Sequence, residues 1–76
     1  MKDIRWNQIM LREFQSLACL SDDEKEVLTD WAHGKSITHS ALRLHMGDTK
    51  IKDIRKSIRD KYDDVQEYSP ILPKRT

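Results

Sequence analysis

Through residue 69 the chain contains no proline and only two glycines, Gly34 and Gly47; both prolines, Pro70 and Pro73, come afterwards. A β-rich chain needs turn-forming residues at short intervals, so this distribution predicts an all-α fold in which a few long segments meet at two breaks. The chain has 76 residues, of which 36% are charged and only 7% aromatic. That size is near the lower end of what folds without disulfides or metal. A thin core and a large solvated surface follow, and pairing with a second copy would add stability.

Four helical segments and a tail are predicted within a single domain spanning residues 1–76. Asn7 opens the first (7–18) as an N-cap, with Trp6 and Leu11 placed for a hydrophobic staple. Met10, Leu11, Phe14, Leu17 and Ala18 then recur at steps of three and four, the spacing of a buried helix face. Ile9 lies off that face. The second helix (21–33) starts at a capping box, Ser21-Asp22-Asp23-Glu24, in which hydroxyl and carboxylate each satisfy an N–H of the other's residue. Val27, Leu28, Trp31 and Ala32 form its inner face, and Gly34 suits the left-handed position after its end. Residues 36–66 hold two further helices. Ser36 caps the shorter one, with Ile37, Ala41 and Leu44 inward. His45, Met46 and Gly47 make a three-residue turn, and the longest helix carries Ile51, Ile54, Ile58, Tyr62 and Val65 on a narrow inner stripe. Ser69-Pro70 stops it, leaving an extended tail over 67–76 whose Ile71-Leu72 pair either folds back onto the first helix or frays.

Charge is distributed unevenly. The net charge is +1, but residues 1–34 sum to −3, residues 35–61 to +5 and residues 62–76 to −1. A local block of cations attracts a polyanion even when the whole chain is near neutral. Within that block, the inward isoleucines of the long helix place Thr49, Lys52, Asp53, Lys56 and Asp60 outward, with Lys50, Arg55, Arg59 and Lys61 on the flanks. A short helix, a tight turn and a long helix with a basic outer face fit the major groove of duplex DNA. Lysines there can donate to guanine O6 and N7 while flanking cations sit over phosphates. The start of the preceding helix at Ser36 adds N–H groups for a phosphate.

The stretch Leu20-Ser-Asp-Asp-Glu-Lys-Glu-Val-Leu28, with Ala32-His-Gly-Lys-Ser36, Ala41-Leu-Arg-Leu44 and Ile51-Lys52, resembles the LuxR-type helix-turn-helix domain. The correspondence runs without gaps from Leu20 to Tyr62. The glycine ending the scaffold helix, the serine capping the next, and the Ile-Lys pair of the recognition helix fall in register. The whole chain also resembles small helix-turn-helix proteins of phages and mobile elements in Gram-positive bacteria. The resemblance implies that Lys52 is the groove-facing lysine, with Thr49 and Asp53 beside it. Three positions depart from the family pattern. Ser40 replaces a buried isoleucine, His39 a glutamate, and Ile54 a histidine.

Together these readings predict a duplex DNA-binding regulator of transcription. Thr49, Lys52, Asp53 and Lys56 read bases, while Lys35, Ser36, Lys50, Arg55 and Arg59 hold phosphates. Trp6, Ile9, Tyr68, Ile71 and Leu72 offer the surface of a homodimer. Asp48, Asp53 and Asp60 place negative charge on the same helix. They favour a rival expectation, an adaptor for RNA polymerase or another regulator that keeps the fold without binding DNA. An RNA-binding reading lacks the exposed aromatics that single strands stack on. No cofactor is expected: Cys19 and the three histidines have no zinc-finger spacing. No nucleophile–base motif or phosphate loop points to an enzyme. Cys19 is the lone cysteine, which excludes an intrachain disulfide and makes the cytoplasm the expected compartment. Between Ala18 and Leu20 it reads as a small buried hydrophobe. No apolar run approaches membrane-spanning length and the N-terminus lacks a signal peptide's apolar stretch, so no membrane partner is expected.

Overall fold

The computed structural model describes residues 4–73, and they form four helices and no strand. These are α1 (Gln8–Leu17), α2 (Asp22–Ala32), α3 (Ile37–Leu44) and α4 (Asp48–Gln66). Each of the first three starts where a side chain can satisfy an otherwise orphaned N–H. Asn7 Oδ1 accepts from the Met10 N–H at 2.8 Å, and Ser36 Oγ from the His39 N–H at 3.0 Å. At α2 the capping box closes both ways, through Glu24 N–H to Ser21 Oγ at 3.2 Å and Ser21 N–H to Glu24 Oε1 at 3.0 Å. Gly34 follows α2 with φ +76°, a conformation that costs a residue with a Cβ about 1–2 kcal/mol.

α4 packs against α1, α2 and α3 and carries the central stripe of the core. Ile51, Ile58 and Tyr62 are inaccessible, as are Phe14, Val27 and Leu28, and Ile54 is nearly so. Burial of each such side chain is worth about 1.5–3 kcal/mol. The Trp6 ring lies 5.3 Å from Phe14, 5.7 Å from Tyr62 and 5.8 Å from Trp31, centroid to centroid. Edge-to-face and tilted contacts of this kind suit the ring quadrupoles, and they pin the segment before α1 to the core. Leu17, expected inward, is exposed at the last residue of α1. Cys19 is exposed as well, in the loop to α2, and is not a core residue.

Two buried carboxylates of α2 tie the helices together. Asp30 Oδ2 accepts from Ser40 Oγ at 2.9 Å and Arg43 Nε at 3.0 Å, joining α2 to α3. Arg43 extends the link to the Glu26 carboxylate at 2.9 Å. Burial opposes ionisation of Asp30, but the Arg43 and Ser40 bonds outweigh it and hold the carboxyl below its ordinary range. The Ser40 hydroxyl therefore replaces apolar packing with a hydrogen bond. Glu24 joins α2 to α4: Lys61 Nζ donates at 2.7 Å and Ser57 Oγ at 2.8 Å. Burial would raise its pKa, yet the bonds from Lys61, the Ser21 N–H and Ser57 lower it from 4.5 to about 2.

Beyond α4 the described part of the tail, through Pro73, turns back onto the body, the first of the two expected alternatives, and residues 74–76 lie outside the described residues. Ser69 Oγ bonds Glu13 of α1, the Tyr62 hydroxyl donates to the Pro73 carbonyl, and Leu72 is only 2% exposed. No helix among the described residues is long and apolar enough to cross a membrane.

Ser40→Ala should cost about 1 kcal/mol in urea unfolding, the worth of one net hydrogen bond, and Asp30→Ala about 2–3 kcal/mol because Arg43 and Ser40 lose their acceptor. Ser40→Ile should destabilise more than Ser40→Ala by overfilling the site. Because the Glu24 pKa is depressed, its stabilisation is complete above 4.5 and lost as pH falls towards about 2. Thermal unfolding across that window should show a drop that Glu24→Gln flattens.

Candidate nucleic-acid interface

α3 and α4 are joined by three residues, and the joint is set by His45. This residue adopts φ +55°, the left-handed conformation that commonly ends a helix. The Met46 N–H donates back to the Ala41 carbonyl at 2.9 Å, and Met46 packs partly against the core. Gly47 then supplies an extended residue before α4 begins at Asp48.

The basic block divides into two sets. Arg43 and Lys61 point inward to carboxylates of α2. Arg55 and Arg59 are half-buried, their guanidinium carbons over the Trp31 ring at 4.9 and 5.7 Å from its centroid. Arg55 Nη2 also donates to the Lys35 carbonyl at 2.9 Å, fastening α4 to the α2–α3 loop. Arg55 and Arg59, expected to hold phosphates, cover an indole that is 8% exposed. Lys35, Lys50, Lys52 and Lys56 form the second set. All four are exposed, and their ammonium groups have no hydrogen-bond or ion-pair partner among the described residues.

The arrangement around α4 sorts charge by sign only in part. At about 100° per residue, Lys52, Arg55, Lys56 and Arg59 share one sector, while Asp53, Asp60 and Asp64 share another about 110° further round. Thr49 lies between the two sectors and Lys50 beyond the acidic one. Those three carboxylates run alongside the cations, whereas Asp48 and Asp63 fall by the same count within the cationic sector. Asp48 belongs to the first turn of α4, where negative charge meets the positive end of the helix dipole. Ser36 is exposed, its Oγ engaged with the His39 N–H at the start of α3.

Of the residues expected at a dimer surface, Ile9 (66% exposed), Tyr68 (81%) and Ile71 (45%) are accessible. Leu72 and Trp6, expected with them, are not open in the same way. Leu72 is buried by the returning tail, and Trp6 is half-buried among Phe14, Trp31 and Tyr62. Leu42 of α3, 74% exposed, was not anticipated. Its place off the Ile37–Ala41–Leu44 stripe is the signal that marks it.

Compared with known proteins, the chain matches no family model, no curated protein and no solved structure.

Proposed function

We propose that this chain is a sequence-specific duplex-DNA-binding protein of the LuxR-like helix-turn-helix type, acting as a homodimer in the cytoplasm to regulate transcription. The observation that carries this reading is the pair Lys52 and Lys56. They stand one turn apart on the outward side of α4, exposed and without an internal partner, just after the turn from α3. A lysine in the major groove donates to guanine O6 and N7, and Asp53 beside them accepts from a cytosine amino group. Thr49 completes the base-facing set. Lys35 and Lys50, with the N–H groups at the start of α3 near Ser36, supply phosphate contacts that fix orientation. Ile9, Tyr68 and Ile71 offer apolar surface to a second copy, and a two-fold pair of recognition helices would read two half-sites about one helical turn apart.

A second reading has its own support. The unpartnered lysines of residues 35–61 number four, against three exposed aspartates, Asp48, Asp53 and Asp60. Leu42 adds an exposed apolar side chain on α3. An adaptor binding RNA polymerase or another regulator would use such a mixed surface without DNA contact.

On a site obtained by selection from random duplexes, Lys52→Ala and Lys56→Ala should each weaken binding by about 1–3 kcal/mol and relax sequence preference at one position. Lys50→Ala should weaken all duplexes alike and lower the salt slope by about 1. Fluorescence anisotropy across a salt series measures both. No salt-dependent affinity for any duplex would reject the DNA reading in favour of the adaptor. In sedimentation, Ile9→Glu should behave as a monomer at concentrations where the parent chain is a dimer.

A further inference from the structure

Five large hydrophobic side chains are exposed among the described residues, and four of them belong to α1 and the tail: Ile9, Leu17, Tyr68 and Ile71. Ile9, Glu13 and Leu17 recur every four residues and so line one side of α1. Glu13, the middle one, accepts from Ser69 Oγ, which in turn accepts from the Ile71 N–H at 3.2 Å. The returning tail is therefore seated along that side of α1, with Tyr68 and Ile71 flanking the Ser69 contact. Two segments 56 positions apart at that contact together make one composite apolar strip. A contiguous patch of this kind on a small protein marks an interaction surface. Its two margins carry opposite charge. Arg12 and Glu13 are the charged residues of α1; Ser69 engages Glu13, which leaves Arg12, about one turn from Ile9, on the α1 margin. Glu67 directly precedes Tyr68 on the tail margin. Both are exposed, and neither has a hydrogen-bond or ion-pair partner among the described residues.

We infer that the strip is covered by a second copy of this chain, related by a two-fold axis through the Glu13–Ser69 contact, a step that rests on the homodimer reading above. Such an axis lays α1 of one copy along the tail of the other. Apolar strip then meets apolar strip, and Arg12 of each copy meets Glu67 of the partner subunit. A surface with a cationic margin, an apolar centre and an anionic margin is complementary to itself; a different protein would have to carry the same order in reverse. Size points the same way. A stable pair takes about 800 Å² from each partner, with an apolar centre and a polar rim. Four large accessible side chains between two charged margins are of that order, and so small a chain gains stability by burying them. Half of the strip is tail, so only a chain with a docked tail can pair. The pairing leaves recognition open. Lys56 lies ten residues before the end of α4 at Gln66, about 15 Å along the helix axis.

The test is sedimentation velocity over a micromolar-to-millimolar series, on variants whose circular dichroism matches that of the parent chain. Arg12→Glu and Glu67→Arg each set like charges together at both ends of the strip, and each should weaken self-association about 5- to 30-fold. Mixed in equal amounts, the two variants should form a heterodimer close to parental affinity, because every rim contact again joins opposite charges. The double variant Arg12→Glu/Glu67→Arg should recover the homodimer for the same reason. Leu17→Glu on α1 and Ile71→Glu on the tail should each give monomers, whereas Leu42→Glu on α3 should associate as the parent does. Parental self-association in both single charge variants, or no gain when they are mixed, would overturn the two-fold pairing while a parental dimer leaves the homodimer reading standing. A parent chain that stays monomeric across the series would overturn both and assign the strip to a different partner. Salt-dependent duplex binding by that monomer would leave the DNA reading in place.

Discussion

Two carboxylates on α2, one near its start and one near its end, hold this small fold in register. Glu24 receives Ser57 and Lys61 of α4, and Asp30 receives Ser40 and Arg43 of α3. Both are buried, so each is favourable only because its lone pairs are filled. Apolar packing brings the helices together but tolerates sliding; a buried carboxylate with fixed donors does not. The angle between α3 and α4, on which any groove-reading geometry depends, is therefore set from behind by α2. His45 sets it from the joint itself.

This construction also redefines the positive charge. Eight cations in residues 35–61 suggest a strongly basic surface when counted along the chain. In the fold, Arg43 and Lys61 neutralise α2, and Arg55 and Arg59 cover Trp31. Recognition by the remaining lysines would depend on their placement more than on bulk attraction. Weak non-specific attraction with well-placed donors favours discrimination between sequences over tight binding to any duplex.

The all-helical class and the caps were legible because their causes are local. Asn7, Ser21 with Glu24, and Ser36 each act within three residues, and the isoleucine stripe of α4 repeats within a turn. The ties between helices were not legible. Ser40 lies ten residues from Asp30, and Ser57 lies 33 from Glu24, distances at which no periodicity links a donor to its acceptor. Ser40 was visible as a departure from an apolar pattern, but its partner was not. Arg55 and Arg59 looked like surface cations because helical spacing gives direction and not the neighbour waiting there. Cys19 misled for a related reason: flanking Ala18 and Leu20 suggest burial, whereas a loop residue's exposure depends on which way the chain turns.

The two ends of the described chain meet at one side chain. Tyr62 carries the Trp6 ring against its own ring and the Pro73 carbonyl on its hydroxyl, while Glu13 and Ser69, 56 positions apart, bond nearby. Such contacts close nearly the whole chain into a loop, so they are entropically expensive and form once the middle is in place. Fraying is then not a private matter of either terminus. Release of the tail from Tyr62 loosens the seat of Trp6, and loss of Trp6 exposes the residue that anchors the tail. The molecule should open at both ends together or not at all, a cooperativity larger than its thin core would suggest.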